Sequence, residues 1–286
     1  SVIIASLILS FCVAAVLIGG VKRIASVSQI IVPFMAVIYF VFAVILICCN
    51  ITKVPAAFAT IVTAAFSPKA ITGGAVGSML IAMQKGVARG IFSNEAGLGS
   101  APIAAAAAQT NSPVRQGLVS MTGTFIDTII ICTLTGLSIV LTGAWQVEGL
   151  EGVQVTTYAF QHGLPFPAQF SSFILMLCLV FFAFTTILGW DYYSERCLEY
   201  LSGGNMKHVK IFRWIYILAV FIGPYMTVSA VWTIADIFNG LMAIPNMIAL
   251  FALSGVIVKE TRAFFQHAKE EALAEHRSFE EVCEEN

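Results

Sequence analysis

A long apolar segment of this chain is interrupted at its centre by glycine and polar residues. Residues 75–108 are otherwise apolar and rich in alanine, but positions 93–99 read Ser-Asn-Glu-Ala-Gly-Leu-Gly. In hydrocarbon, backbone that leaves the helix is stable only where it is buried in protein or lines a wet cavity. The interruption therefore predicts a broken helix within a membrane protein, and such helices are the best sequence indication of a transporter's substrate site.

The composition places the chain among α-helical membrane proteins. Hydrophobic residues make up 58% of it and charged residues 11%, whereas a soluble domain carries about 25% charge. A net charge of -1 gives no electrostatic reason to expect a nucleic-acid partner. The histidines fall in loops or near the C-terminus and form no Cys/His or Ser/His pair that would indicate an enzyme. We therefore predict an all-α polytopic membrane protein that is not an enzyme.

The apolar segments predict about seven spans of roughly 20 residues each. They cover residues 2–20, 29–50, 75–108, 117–142, 168–190, 210–229 and 232–258. Gly240 and Pro245 leave open that the last span is two shorter pieces. After residue 258 the sequence becomes rich in Lys, Glu, Arg and His. We therefore expect a transmembrane domain over 1–258 and a charged, helical, cytoplasmic tail over 259–286.

Basic residues predict the orientation of the chain. Lys22 and Arg23 follow the first span, Lys207 and Lys210 follow the fifth, and Lys259 follows the seventh. If the spans alternate in direction, these loops lie on one side, which the positive-inside rule makes cytoplasmic. The expected location is a multi-pass protein of the plasma or inner membrane, with its C-terminus inside.

The chemistry of a broken helix suits a zwitterionic ligand. Carbonyl groups that end the first half carry partial negative charge, and N–H groups that open the second half carry partial positive charge. Ser100 is expected to cap the second half, with Pro102 in its first turn and a helix that continues to Ala108. Gly97 and Gly99 allow a ligand to approach the backbone closely. An amino acid, with its ammonium and carboxylate groups, needs both ends.

Charged side chains within the spans have competing interpretations. The alternative to a ligand site is a helix kinked at glycine, in which Glu95 merely pairs with Arg89; charges there should face a cavity or a partner carboxylate. Asp127 either supports the break, lines a cation pathway or sits near the interface. Asp236, with Asn239 and Asn246, is interpreted as a structural group that satisfies the irregularity at Gly240 and Pro245.

At this point the sequence resembles a known family. Residues 88–104, Ala-Arg-Gly-Ile-Phe-Ser-Asn-Glu-Ala-Gly-Leu-Gly-Ser-Ala-Pro-Ile-Ala, closely resemble the signature of the sodium:alanine (amino acid–cation) symporter family, and residues 19–25, 32–35 and 234–246 agree with it. The resemblance extends to about residue 260. It implies a leucine-transporter-like inverted-repeat fold, of which the spans here match the last two of the first repeat and all five of the second. We therefore expect further spans, including another broken helix, before residue 1.

The resemblance also implies which residues bind the ligands. Phe92, Ser93, Asn94 and Gly97 would contact the amino acid. Trp190, one turn beyond Thr186 on the same helix face, is a candidate wall or lid of the pocket or, equally, an interfacial anchor. Glu95 would act as a structural ion pair or as part of a gate.

A sodium site is expected on the fifth span. The Phe182 carbonyl and the hydroxyl groups of Thr185 and Thr186 share one helix face, three and four residues apart. In the family's fold the equivalent span presents such oxygens to a sodium ion. The alternative is that the threonines only hydrogen-bond to carbonyls one turn earlier, which is common in membrane helices.

The expected function is sodium-coupled symport of small neutral amino acids, alanine or glycine, by alternating access. The alternative is a proton-coupled or passive amino acid permease or channel. A channel would require repeated polar rings or a filter loop, whereas this chain has one asymmetric break. The sequence predicts no oligomeric state.

Overall fold

The structure is a computed structural model that describes residues 2–65 and 75–275. It is 87% helical, and the described ranges contain no strand, which confirms the all-α class. The chain divides into two compact units. The first comprises residues 1–85 and 130–231, and the second comprises residues 86–129 and 232–286. Each is described by itself below.

Eleven α-helices follow one another in the described ranges. They are α1 Val2–Leu17, α2 Gly20–Cys49, α3 Val54–Ala65, α4 Ala75–Asn94, α5 Ala101–Ala105, α6 Pro113–Phe125, α7 Thr133–Thr142, α8 Val153–Gly163, α9 Ala168–Leu201, α10 Met206–Ile222 and α11 Val228–Glu275. A π-helical segment, Ile126–Cys132, joins α6 to α7. Such segments are rare and occur frequently at functional sites. The sequence analysis did not anticipate this one.

The first unit has its main core where α2 packs against α9 and α8 against α7. Phe160 is fully buried, and its ring stacks on Tyr39 with the ring centres 5.6 Å apart. The Tyr39 hydroxyl group lies 2.5 Å from the Thr135 hydroxyl group, so the polar end of this ring is satisfied inside the core. Burial of the aromatic pair therefore leaves no stranded hydroxyl group.

The ends of α2 and α8 meet closely in the same unit. A Cβ atom on Gly163 would lie 2.7 Å from Leu46 Cγ and 2.9 Å from Thr142 Cγ2, so only glycine fits there. The Asn50 side chain donates from Nδ2 to the carbonyls of Leu46, at 2.9 Å, and of Gly163, at 3.0 Å. One amide group thus caps the last turn of both helices.

Four helical stretches of the described residues are long and apolar enough to cross a membrane. They are Lys22–Cys49, Pro113–Thr142, Ala168–Leu201 and Val228–Leu273. They support a multi-pass membrane protein, while the count of about seven spans stays a prediction.

Helix α11 bears on two expectations for the last predicted span. Helix α11 continues through Gly240 and Pro245, so the alternative of two shorter pieces is wrong. The helix also continues past residue 258 to Glu275. The boundary there between membrane domain and tail stays a prediction, and residues 276–286 of the expected tail lie outside the described ranges.

The second unit contains the end of α4, then α5, α6, the start of the π-helical segment, and α11 from Trp232 onward. Helix α6 begins at Pro113 because the preceding Ser112 accepts a hydrogen bond from the Arg115 N–H at 3.3 Å. Serine followed by proline is a favourable start for a helix. This unit holds the break.

Candidate functional site

The interruption between α4 and α5 is a true break in the helix. Helix α4 ends at Asn94, and α5 begins at Ala101. Glu95 has φ 56°, and Gly97 and Gly99 each have φ 83°. These left-handed conformations are accessible to glycine and costly for other residues, so the two glycines allow the chain to turn here. The prediction of a broken helix is confirmed, but Ser93 and Asn94 still belong to α4, so the break begins at Glu95 and not at Ser93.

The second half of the broken helix differs from expectation. Helix α5 ends at Ala105, not Ala108. Ser100 occupies the position before α5, but its side chain caps nothing and donates instead to Glu95 Oε2 at 2.7 Å. The prediction of a Ser100 side-chain cap is therefore wrong, because the hydroxyl group finds a charged acceptor within the break itself.

The polar side chains that end α4 are held by the π-helical segment. Ser93 Oγ donates to the Asp127 carboxylate and lies 2.9 and 2.8 Å from its two oxygens. Asn94 Nδ2 donates to Thr128 Oγ1 at 2.9 Å, and Asn94 Oδ1 accepts from the Ala96 N–H at 2.9 Å. Asp127 therefore contacts the break, as the first of its three interpretations requires. Asp127 and Thr128, which are adjacent in the π-helical segment, thus hold Ser93 and Asn94, the last two residues of α4.

Arg89, one turn before the break, is held by α11 and not by Glu95. Its guanidinium group forms an ion pair with Asp236 and lies 4.0 Å from the centre of the Trp232 ring. The Phe92 ring packs edge-on against Trp232 at 5.1 Å. The expectation that Arg89 faces a partner carboxylate is confirmed. The proposed Glu95–Arg89 pair is wrong, since Asp236 takes the guanidinium group, and the assignment of Asp236 to the irregularity near Pro245 is wrong for the same reason.

Asn246 of α11 contacts the far side of the break. Its Nδ2 donates to the Gly97 carbonyl at 3.0 Å. A Cβ atom on Gly99 would lie 3.1 Å from three Asn246 side-chain atoms, so the amide group packs directly on this backbone. The sequence analysis named Asn246 but did not find this role, because no local pattern links residues so far apart in the chain.

The expected sodium ligands lie in the first unit, on α9. Thr185 is buried, and its hydroxyl group lies 2.9 Å from the Phe181 carbonyl and 3.2 Å from the Phe182 carbonyl, with both as acceptors. This is the bond to the preceding turn that the alternative interpretation describes. It uses the hydroxyl hydrogen and leaves oxygen lone pairs that are free to bind a cation. Thr186 is exposed, and Trp190 is half-buried with its ring against Tyr193 at 5.7 Å.

The structure thus groups the predicted site residues into two sets. Phe92, Ser93, Asn94, Glu95, Gly97 and Asp127 lie together at the break in the second unit. Phe182, Thr185, Thr186 and Trp190 lie on one helix in the first unit.

Comparison with known proteins decides the family. The sequence model of the sodium:alanine symporter family matches residues 1–278. The chain belongs to the sodium:alanine symporter family. This confirms the resemblance found in the sequence. It is a family of transporters, which is compatible with the expectation that the chain is not an enzyme.

Three relatives illustrate the range of this symporter family. The chain is 54% identical to an uncharacterized transporter of Haemophilus influenzae over 94% of its own length and 58% of the relative's. It is 46% identical to the sodium/alanine symporter AgcS of Methanococcus maripaludis over 94% of its own length and 58% of the relative's. It is 38% identical to the probable sodium/glutamine symporter GlnT of Bacillus subtilis over 92% of its own length and 54% of the relative's. The chain therefore spans little more than half the length of these symporters.

Proposed function

We propose that this chain forms part of a secondary active symporter that carries a small neutral amino acid, alanine or glycine, together with sodium across a cell membrane. The observation that carries the proposal is the break in the second unit, where Asp127 and Thr128 hold Ser93 and Asn94 at the end of α4 and the chain then turns at Gly97 and Gly99. The name of the 46% identical relative, a sodium/alanine symporter, supports the choice of substrate and ion.

The break supplies groups of both signs for an amino acid. The Asp127 carboxylate and the carbonyl end of α4 favour the substrate ammonium group. Gly97 and Gly99 have no side chains, so the substrate carboxylate can approach the backbone N–H groups that follow the break. Phe92 would bound the apolar side chain of the substrate, and the role of Trp190 as a wall or lid stays a prediction. Glu95 would act as a structural or gating group through its bond to Ser100.

Sodium would bind to the oxygens of α9. The Phe182 carbonyl and the hydroxyl groups of Thr185 and Thr186 are hard oxygen donors, which suit a cation of this kind. Coupling arises if sodium and the amino acid each stabilise the same occluded conformation, because their affinities are then reciprocally linked. Alternating access would open that conformation to one side of the membrane and then to the other.

The proposal includes the architecture that the family resemblance implies. The chain would contribute about seven spans of a leucine-transporter-like inverted-repeat fold, with residues 1–258 in the membrane and 259–286 in the cytoplasm. The apolar helices fit a multi-pass membrane protein. The bias of basic residues supports a C-terminus on the cytoplasmic side.

The experiment is uptake of radiolabelled alanine by the full-length protein in proteoliposomes, with sodium, potassium or choline in the outer buffer. We expect uptake only with an inward sodium gradient. Equal uptake in all three buffers would contradict sodium coupling and favour the passive permease. Uptake that follows an imposed proton gradient without sodium would favour the proton-coupled alternative.

Two threonine variants then test the ion site. Thr186→Val is expected to raise the sodium concentration needed for half-maximal uptake by tenfold or more. A tenfold change corresponds to a loss of about 1.4 kcal/mol in the free energy of sodium binding. Thr157→Val is the control, because Thr157 is a helical threonine of α8, outside the expected ion site, whose hydroxyl group donates to the Val153 carbonyl at 2.9 Å. Unchanged sodium dependence in Thr186→Val would remove this residue from the ion site.

A further inference from the structure

A buried cluster of charged side chains in the first unit is not used by the proposed transport mechanism. It consists of Asp191 and Glu195 on α9 and Arg213 on α10. The buried residues of α9 include Thr185, Leu188, Asp191 and Glu195, which recur every three or four positions. This spacing places them on one stripe of the helix. The cluster thus continues the face that carries Thr185.

Glu195 is fully paired within this cluster. Its side chain is only 2% exposed, and its two carboxylate oxygens accept from Arg213 Nε at 2.5 Å and from Arg213 Nη2 at 2.9 Å. This is a two-point bond between a carboxylate and a guanidinium group, the geometry that best compensates a buried charge. One negative and one positive charge therefore cancel here.

Asp191 has no such partner. It is 0% exposed, and both of its carboxylate oxygens are buried without a hydrogen-bond donor. The Asp191 carboxyl group lies beside that of Glu195, and Glu195 is one turn further along α9. If all three groups were ionised, the cluster would hold one uncompensated negative charge in an apolar interior. An unpaired buried charge of this kind is strongly disfavoured.

We propose that Asp191 binds a proton and donates it to Glu195 in a carboxyl–carboxylate hydrogen bond, which makes the cluster a buried proton-binding site. The proton removes the uncompensated charge and gives Asp191 a hydrogen-bond partner in Glu195. Each Glu195 oxygen that accepts from Arg213 retains a second lone pair to receive it. A protonated carboxyl group has one O–H donor, so the bond has both a donor, on Asp191, and an acceptor, on Glu195.

A metal ion suits the cluster less well than a proton. The Arg213 guanidinium group donates to both carboxylate oxygens of Glu195 and would repel a cation at that carboxylate. The nearby Tyr216 hydroxyl group donates to the Ile187 carbonyl at 2.8 Å and is therefore held away from Asp191. Asp191 would have to supply most of the charge and coordination by itself.

Other titratable groups lie on the helices that pack on α9. Helix α10 carries Arg213 and Tyr216 as well as Lys207, His208 and Lys210, and α9 itself carries Glu195 and Arg196, of which Arg196 is paired with Glu199. Helices α1 and α2 carry Cys12, Lys22, Arg23, Tyr39, Cys48 and Cys49, and the Tyr39 hydroxyl group is paired with Thr135. Among the described residues, the charged groups that act on Asp191, in addition to its burial, are Glu195 and Arg213.

The site is independent of the sodium and substrate assignments. Asp191 lies six residues beyond Thr185, about 9 Å along the helix axis. It is separate from the expected sodium ligands, and its protonation can be tested whether or not the protein transports sodium.

The experiment is infrared spectroscopy of the full-length protein in lipid at neutral pH, with spectra compared between H2O and D2O. The C=O stretch of a protonated carboxyl group is resolved from that of carboxylates and shifts in D2O. We expect such a band in the wild type, a shift of that band when aspartate is labelled with 13C, and its loss in Asp191→Asn. Asparagine preserves the size of the neutral acid and retains a donor for Glu195, so this variant is expected to fold.

Asp236→Asn is the control, because Asp236 belongs to the second unit and is paired with Arg89, outside this cluster. The band should persist in that variant. The absence of a protonated-aspartate band in the wild type would overturn the proposal. Because 13C-labelled aspartate identifies the band, this outcome can be read from the wild type alone. A band that disappears on addition of sodium or potassium at constant pH would also overturn it, in favour of a metal-ion site.

Discussion

The break makes a sharp prediction about its two left-handed glycines. Gly97 and Gly99 share φ 83°, but their surroundings differ. A Cβ atom on Gly97 would meet nothing within 4 Å, whereas one on Gly99 would lie 3.1 Å from Asn246 Cβ, Cγ and Oδ1. Alanine at Gly97 therefore tests the backbone conformation alone, and alanine at Gly99 tests the conformation and the contact with α11 together.

The expected costs follow from these two contributions. An L-residue in the left-handed region costs about 1–2 kcal/mol, which lowers the ratio of native to unfolded protein by roughly 5- to 30-fold. Gly97→Ala should show this loss only. The crowding by Asn246 adds an overpacking cost of about 1–3 kcal/mol. Gly99→Ala should therefore lose about 2–5 kcal/mol in total.

The assay is thermal unfolding of the purified full-length protein, followed by loss of its monodisperse peak on size-exclusion chromatography. Gly255→Ala is the control, because Gly255 lies inside α11 with no atom near its Cβ position and no left-handed φ. Alanine in the interior of a helix is up to about 1 kcal/mol better than glycine. The control should be unchanged or slightly stabilised.

A double variant separates the two contributions. Asn246→Ala removes two of the three atoms that crowd Gly99, so Gly99→Ala should cost less in that background than alone. Gly97→Ala should show no such recovery. If Gly99→Ala unfolded at the same temperature as Gly255→Ala, both the left-handed turn and the contact with Asn246 would be refuted as constraints on the break.

Three further predictions concern contacts within single units. Gly163→Ala should lower the free energy of unfolding by about 1–3 kcal/mol, measured by thermal unfolding, because its Cβ atom would lie 2.7 Å from Leu46 Cγ. Tyr39→Phe should cost about 0.5–1.5 kcal/mol in the same assay, because it removes the 2.5 Å contact with Thr135. Asp236→Asn should cost up to about 1 kcal/mol, since both partners of the Arg89 pair are a third exposed; added salt should narrow its difference from the wild type, and a difference that does not depend on salt would contradict an electrostatic origin.

The existence and position of the break could be predicted from the sequence because their causes are local. Two glycines favour a turn, and three consecutive polar residues are unfavourable in hydrocarbon unless they are buried in protein or line a wet cavity. The same local logic failed for Ser100. A serine before a helix is normally a cap, but here the Glu95 carboxylate is a stronger acceptor within reach of its hydroxyl group. Only the folded geometry of the break shows that competition.

The partners of the break could not be predicted, because they come from distant parts of the chain. Asp236 lies 147 residues after Arg89, and Asn246 lies 149 residues after Gly97. Asp127 is nearer, but its contact with Ser93 depends on a π-helical turn that leaves no recognised pattern in the sequence. Sequence reasoning named all of these residues and assigned most of them to local roles, since spacing along one helix was the only geometry available to it.

Helix α11 now explains why the break keeps one shape within its unit. Asp236 contacts α4 before the break, through Arg89, and Asn246 contacts the glycine backbone after it. These two positions are ten residues apart on one uninterrupted helix, about 15 Å along its axis. Since α11 remains helical through Pro245, the distance between its two contacts is fixed. Any rearrangement that lengthens or shortens the break must therefore release Arg89 or Asn246, or bend α11 at the one position where proline has already removed a helical hydrogen bond.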